Sequence, residues 1–365
     1  MIKVLFAGGG TGGHIFPGIA IADALRKIEP NCDIVFIGTK GKIESRVVPK
    51  AGYKFKSIWI SGFRRSFDLK NLLFPLKLVV SLVQSFLIIK KFKPDVVVGT
   101  GGYVSGPPVF IASLLGIPTL IQEQNSFPGI TTRLLSRMVD EVHISFDITR
   151  KYLKRKDNVF LSGNPVRSSL KIYSKIEALK FFGFNENKKT IFVFGGSTGA
   201  RSINEAMLGI IDELVGRNIQ VIWQTGEFDF EKVKDKCKHK TEVRIFKFID
   251  EINYAYSACD LAICRAGATT ISEITYFGVP SILVPYPFAT VNHQYENAKF
   301  LAENEACEIL LDSELKSKLK EKIFKLIYDD EKLRLMREKL KSLANPEAGE
   351  IIAKSILKLA KKGNV

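Results

Sequence analysis

The sequence predicts an α/β protein made of two Rossmann-like halves, each a parallel sheet flanked by helices. Three observations predict it. Short apolar runs alternate with helix-period segments along the whole chain, and that alternation builds parallel sheets whose functional loops lie at the carboxyl ends of the strands. A strand–glycine turn–helix unit opens the chain: an apolar run over 4–7, the turn Gly8-Gly9-Gly10-Thr11-Gly12-Gly13, and helical spacing over 15–25. The same unit recurs at mid-chain, with a strand over 190–194, the turn Gly195-Gly196-Ser197-Thr198-Gly199, and a helical pattern over 203–214. Two such units, in a chain of 365 residues, imply two domains facing a central cleft.

Each glycine turn aims backbone N–H groups and a positive helix end at one point, which suits an anion. Gly8, Gly10 and Gly13 fit G-x-G-x-x-G, a pattern that alone is weak. The other reading is a tight turn with a purely structural role. Lysine and arginine outnumber aspartate and glutamate by 54 to 38, a net charge of +16. That excess points to nucleic acid, a phosphorylated substrate or an acidic membrane face, or else serves solubility. Cys32, Cys237, Cys259, Cys264 and Cys307 are odd in number and scattered, so reduced thiols are expected rather than a disulfide framework or zinc. His14, His143, His239 and His293 have no metal-ligand spacing. Met1 leads straight into a strand, so no signal peptide is expected.

Taken in order, the next strand is expected over 33–37. It ends in Gly38-Thr39-Lys40, where a dinucleotide site would place an acidic residue for the ribose. A strand over 55–60 leads to a long apolar segment ending at Phe92. Its longest uncharged run, 78–89, is too short for a bilayer, which takes roughly 20 residues. Lys70, Lys77, Lys90, Lys91 and Lys93 flank it, and Phe63, Phe67 and Phe74 lie nearby. Such a segment packs in the first domain, lies on an anionic membrane, or does both. A strand over 95–99 enters a third glycine-rich loop, 100–108, before helical spacing over 109–115. Strands over 118–123, 141–144 and 158–161 complete this half, and the Gly163-Asn164-Pro165 run marks its boundary. The second half repeats the alternation, with strands near Thr190, Gln220, Val243, Leu261 and Ser281. An amphipathic helix over 346–362 closes the chain.

In the second half, Leu261–Cys264 reads as a strand and Ala266-Gly267-Ala268-Thr269-Thr270 as a turn into a helix. Thr270 and Glu273 have capping-box spacing. The alternative is a diphosphate at the helix start with Glu273 accepting from a ribose diol, for which a carboxylate offers two acceptor oxygens. Asn292-His293-Gln294 follows the next strand, and its amides suit sugar hydroxyls.

Together, GGGTGGHIFP over 8–17, Glu123-Gln124-Asn125, Gly163-Asn164-Pro165-Val166-Arg167 and Gly195-Gly196-Ser197 form an ordered set. With Gly267 to Glu273, Gly278-Val279-Pro280, His293-Gln294 and Asn297-Ala298, the set resembles the MurG family over nearly the whole chain. These are bacterial transferases of cell-wall synthesis that carry N-acetylglucosamine from UDP-GlcNAc to the undecaprenyl-diphosphate-linked muramyl pentapeptide, lipid I, giving lipid II. The resemblance implies the GT-B architecture. An acceptor- and membrane-facing domain would span 1–162, with helix 346–362 packing back on it, and a UDP-GlcNAc domain would span 163–345. It implies that Thr11, Gly12 and Gly13 meet phosphates and the transferred sugar, and that Asn125 contacts the sugar. It places Arg167 and Ser197 at the diphosphate, Ile249 at the uracil through its backbone, Ala268, Thr269, Thr270 and Glu273 at phosphate and ribose, and Gln294 at sugar hydroxyls. Thr198 and Tyr295 depart from glutamines common in the family. The implied setting is the cytoplasmic face of the membrane, held peripherally, with cell-wall synthesis proteins as possible partners and no nucleic acid.

The implied reaction is an inverting displacement with no cofactor and no carboxylate-bound metal. His14, at the glycine turn and with a suitable titration range, is the candidate base; its other reading is a residue that orients the loop. A UDP-GlcNAc epimerase, a dinucleotide oxidoreductase and a non-catalytic membrane-surface protein are the competing readings.

Overall fold

The computed structural model describes residues 1–62, 73–167, 170–196, 198–289 and 292–362. Phe63, Phe67, Lys70 and Ser197 therefore lie outside the described residues. The chain divides into two compact units, Met1–Ser168 with Asn345–Val365, and Ser169–Ala344.

The first unit is a seven-stranded, fully parallel sheet in the order β3-β2-β1-β4-β5-β6-β7. Its strands are β1 (Lys3–Ala7), β2 (Asp33–Gly38), β3 (Lys54–Ser57), β4 (Val96–Gly99), β5 (Thr119–Glu123), β6 (Glu141–Ile144) and β7 (Val159–Leu161). Its helices are α1 (Gly12–Ile28), α2 (Glu44–Lys50), α3 (Phe74–Phe92), α4 (Gly106–Leu114) and α5 (Ile130–Leu135). The inner strands β2, β1, β4, β5 and β6 are buried on both faces, as a sheet covered by helices on both sides requires, while the edge strands β3 and β7 are largely exposed. Period-two alternation then splits β1: Val4 and Phe6 join one core, Leu5 and Ala7 the other.

The last helix of the chain, numbered α15 below (Ala348–Lys362), packs against α1 and completes the first of these cores with Ile352, Ala353, Ile356 and Leu359. A polar latch accompanies it. The Ser355 hydroxyl donates to Glu141 Oε2 at 2.5 Å, and the same carboxylate oxygen lies 3.0 Å from His143 Nε2. Burial pushes the Glu141 carboxyl up, but hydrogen bonds from His143 and Ser355 outweigh it and hold it below the usual range. A carboxyl lowered by folding contributes stability above its unfolded titration and loses it as pH falls through the folded one. Replacing Ile356, fully buried in that core, by alanine is expected to cost the first unit about 2–4 kcal/mol. Urea denaturation checks this; the second unit's transition, followed through buried Trp223, should not move.

The second unit is a six-stranded parallel sheet in the order β10-β9-β8-β11-β12-β13. The strands are β8 (Thr190–Phe194), β9 (Gln220–Gln224), β10 (Val243–Phe246), β11 (Leu261–Cys264), β12 (Ser281–Leu283) and β13 (Glu308–Ile309). The helices are α6 (Lys175–Phe182), α7 (Arg201–Leu208), α8 (Ile211–Gly216), α9 (Phe230–Lys236), α10 (Ile252–Ala258), α11 (Ala268–Phe277), α12 (His293–Glu303), α13 (Leu315–Ile327) and α14 (Asp330–Leu343). The single helix expected over 203–214 is two, α7 and α8. The break falls at Gly209-Ile210, where glycine weakens a helix interior. Trp223 is fully buried and donates its indole N–H to Asn204 Oδ1 at 2.9 Å.

Candidate active site

In each sheet the strand order reverses once, between β1 and β4 in the first unit and between β8 and β11 in the second. Open parallel sheets bind ligands at that switch, outside the carboxyl ends of the strands. The sequence motifs fall there: the loops after β1 and β4 carry Gly8–Thr11 and Gly101-Gly102, and those after β8 and β11 carry Gly195–Gly199 and Ala266-Gly267.

In the first unit, α1 begins at Gly12, with Thr11 as N-cap in extended backbone and no acidic side chain in its first turn. The helix is three residues longer at this end than the spacing over 15–25 suggested. Gly12, Gly13 and His14 therefore form its first turn; the His14 N–H turns back to Thr11 C=O at 3.3 Å, while those of Gly12 and Gly13 precede the first intrahelical bond. The glycine turn is not wholly open to an anion. Gly10 N–H donates to Glu44 Oε2 at 3.1 Å, and Thr39 donates to Glu44 Oε1 through its N–H (3.1 Å) and its hydroxyl (2.5 Å). Glu44 is fully buried, so this carboxylate props the turn from behind. Of the expected phosphate contacts, Thr11, Gly12 and Gly13 stand forward of it at the helix start.

His14 lies in that first turn, with Nδ1 3.0 Å from Gln124 Oε1. Gly101 and Gly102, both at positive φ, wrap its ring: a Cβ on Gly101 would lie 2.7 Å from Nδ1, and one on Gly102 3.2 Å from Cδ2. The third glycine loop is thus a cradle for an imidazole. Asn125 donates its N–H and Nδ2 to Glu123 Oε1 at 3.1 and 3.2 Å, which keeps Oδ1 and a second amide hydrogen to offer a ligand. Glu123, 3% exposed, also accepts from Gly129 N–H and the Thr132 hydroxyl, so its role is to fix the 124–132 loop. Arg167 belongs to this unit too, its guanidinium 4.7 Å from the centroid of the Phe16 ring on α1.

In the second unit, α11 begins at Ala268 behind the N-cap Gly267, and Ile271 N–H makes the first intrahelical bond, to Gly267 C=O. Thr270 and Glu273 both sit inside the helix. They form no capping box, because neither occupies the N-cap. Their spacing serves another end: Glu273, buried, accepts from Tyr256 Oη at 2.9 Å through Oε2. Thr269 Oγ1 is buried with no hydrogen-bond partner among the described residues, at a helix start with no acidic side chain in its first turn. An orphaned donor there fits an absent acceptor.

The base contact expected at Ile249 is half occupied from within. Its N–H donates to Gln224 Oε1 at 2.8 Å, while Gln224 Nε2 donates to Gly196 C=O at 3.0 Å. A base read here through the backbone meets the Ile249 carbonyl. Gln294 lies in the first turn of α12, and its Oε1 accepts from Tyr286 N–H at 2.9 Å, leaving its Nε2 to donate. Arg265, 9% exposed, ties this end of the sheet together: Nη1 reaches Asp312 at 2.5 Å and the Val284 and Pro285 carbonyls, and Nη2 reaches Ser202. Among the described residues no group of three or more His, Cys, Asp and Glu side chains is arranged to hold a metal ion. Sequence reasoning missed Glu44, Gln224 and Arg265. Apart from Thr39, five residues from Glu44, their partners lie 19 to 63 residues away, beyond any local pattern.

Comparison with known proteins places both halves of the chain in one family. Residues 4–144 match the glycosyltransferase family 28 N-terminal domain, and residues 190–352 match the glycosyltransferase family 28 C-terminal domain. The chain is 43% identical over 359 residues to the UDP-N-acetylglucosamine–N-acetylmuramyl-(pentapeptide) pyrophosphoryl-undecaprenol N-acetylglucosamine transferase of Flavobacterium psychrophilum, covering 98% of this chain and 97% of that one. It is 44% identical over 361 residues to the transferase of the same name from a Thermoanaerobacter species, covering 97% and 99%. The crystal structure of Acinetobacter baumannii MurG superposes with a TM-score of 0.77 at 28% identity, covering 98% of this chain and all of that one.

Proposed function

The chain belongs to glycosyltransferase family 28, and from that membership we propose that it transfers N-acetylglucosamine from UDP-GlcNAc to the 4-hydroxyl of undecaprenyl-diphosphate-linked muramyl pentapeptide. The observation that carries the reading is the full-length likeness to transferases of that name, joined to a helix start on each sheet's switch point. The second unit takes the donor. The α11 N-terminus and the Thr269 hydroxyl meet the diphosphate, Glu273 Oε1 the ribose diol, the Ile249 carbonyl the uracil N3–H, and Gln294 Nε2 a sugar hydroxyl. The first unit takes the acceptor; Thr11, Gly12 and Gly13 are assigned to phosphate and the transferred sugar, Asn125 to that sugar, and Arg167 to the diphosphate. Ser197 is assigned to the diphosphate on the motif alone.

The reaction is an inverting displacement. The acceptor hydroxyl attacks the anomeric carbon, His14 Nε2 takes its proton, and the bond to the UDP oxygen breaks. Negative charge then grows on the diphosphate, where aligned N–H groups and the helix dipole stabilise it without rearranging.

The acceptor is a lipid, and the first unit has a surface to meet it. On α3 the two serines, Ser81 and Ser85, are buried, and their hydroxyls bond back to Leu78 and Ser81 carbonyls. Ile89 is buried with them, but a run of apolar residues faces outward: Leu76 is 52% exposed, Val79 58%, Val83 54% and Leu87 59%. Lys77 and Lys90 flank them, over the rings of Trp59 and Phe86. No described helix is long and apolar enough to cross a membrane. An outward apolar stripe beside cations suits peripheral attachment to an anionic leaflet at the cytoplasmic face. Changing Val79, Val83 and Leu87 together to serine is expected to weaken binding to anionic liposomes by at least about 10-fold, since each buried side chain contributes on the order of 1 kcal/mol or more. Unchanged sedimentation with the liposomes would remove α3 from the account.

The deciding test of the reaction uses radiolabelled UDP-GlcNAc and a lipid-linked muramyl acceptor. Label should pass into the lipid phase. Release of a free amino sugar and UDP without any lipid would point to an epimerase instead.

A further inference from the structure

We propose that Gln124 is a positioning residue that holds His14 in its Nδ1–H tautomer, so that the Nε2 lone pair is the one presented for proton transfer. The inference rests on the reading of His14 as base and adds what makes it one. It comes from the direction of a buried amide chain. Gln124 is 1% exposed and its Nε2 donates to Thr100 C=O at 2.7 Å and to Gln122 Oε1 at 2.5 Å. A backbone carbonyl only accepts, so the Gln124 amide cannot be turned the other way without setting oxygen against oxygen. Gln122, fully buried, is fixed in the same sense, because its own Nε2 donates to Asn164 Oδ1 at 3.2 Å and to Ser145 Oγ at 3.3 Å. Gln122 Oε1 therefore meets the Gln124 amide nitrogen, and Gln124 Oε1 is left to face His14.

The consequence at the ring is determinate. Gln124 Oε1 lies 3.0 Å from His14 Nδ1 and can only accept, so Nδ1 carries the hydrogen and Nε2 carries the lone pair. Among the described residues Nε2 makes no hydrogen bond. The glycine cradle adds a steric term. A Cβ on Gly101 would meet Nδ1 and Cε1, and one on Gly102 would meet Cδ2, so a side chain at either position would crowd the ring. An uncharged amide is suited to this task. It selects the tautomer and the ring orientation without placing a second negative charge beside a site that must receive phosphates. Three features then have one explanation: the Gln122–Gln124 pair, the Thr100 carbonyl that aims it, and the glycines that the helix start alone does not require.

The test is nitrogen NMR of the full chain labelled with ¹⁵N-histidine, with the His14 signals assigned by their loss in His14→Ala. At a pH where the ring is neutral, Nδ1 should be protonated and Nε2 bare. In Gln124→Leu the proton should move to Nε2, with kcat about 100-fold lower and the donor KM within about threefold, the pattern of a lost proton transfer rather than lost binding. Gln124→Glu keeps an acceptor at Nδ1 and should keep the Nδ1–H tautomer of the neutral ring, while its other oxygen, set against the Thr100 carbonyl, should lower the thermal stability of the first unit. A parent protein with Nε2–H overturns the proposal, whatever the variants do. So does a folded Gln124→Leu that retains both the Nδ1–H ring and parental kcat. The two layers separate cleanly: an Nδ1–H ring lost in Gln124→Leu supports the tautomer assignment, even if full activity of His14→Ala were to retire His14 as the base.

Discussion

Replacing His14 by alanine is expected to lower kcat by about 10²- to 10⁴-fold, the range that a positioned general base contributes. The donor KM should change little. Most of the nucleotide contacts assigned above lie in the second unit, around α11, Ile249 and Gln294, whereas His14 sits at the start of α1 in the first. The fold should survive, because the ring is only half buried and its one hydrogen bond is to a side chain. Thermal stabilisation by UDP should likewise match the parent. A variant that keeps parental kcat on the lipid acceptor would leave His14 with the looser task of holding the 101–102 loop, and the base would have to be sought elsewhere. A variant that loses UDP binding in step with kcat would mean that His14 acts on the donor.

Much of this frame was legible because it depends on short-range patterns. The strand–glycine–helix units, the parallel alternation and the closing amphipathic helix all come from residues one or four places apart. What stayed illegible was decided at long range. Gly10 reads as an anion-binding N–H, yet that N–H goes to Glu44, thirty-four residues on. Ile249 reads as a base contact, yet its N–H goes to Gln224. Thr270 and Glu273 read as a capping box, yet Gly267 takes the cap and Tyr256 takes the carboxylate. Strand β13 is two residues long, too short for any period to show. The α3 helix was ambiguous for a different reason. Hydropathy alone does not say which face is inside, and here Ser81 and Ser85, with Ile89, form the buried side of a helix that packs against α4.

The second glycine turn yields the other large effect, and on stability. Gly199→Ala is expected to destabilise the second unit by about 2–5 kcal/mol. Two costs add. At φ +80° an alanine meets the left-handed penalty, about 1–2 kcal/mol. Its Cβ would also fall 2.0 Å from the Thr225 carbonyl oxygen, a backbone atom that cannot swing aside, and overpacking of that kind adds roughly 1–3 kcal/mol. The neighbour is a turn with the same need: a Cβ on Gly226, at φ +79°, would meet Thr198 O at 2.3 Å. The turns after β8 and β9 are thus pressed backbone to backbone, each requiring glycine because of the other. Gly196 provides the control. Its φ is +89°, but a Cβ there meets nothing within 4 Å, so Gly196→Ala should cost only the conformational part. Urea denaturation followed through Trp223, the buried tryptophan of this unit, measures both. If Gly196→Ala proved as damaging as Gly199→Ala, close packing of the two turns would not be what demands the glycine. If instead the order holds, the motif has two parts: Gly199 exists to let two turns touch, and Gly196, with open space beside it, is the glycine placed where a ligand can approach.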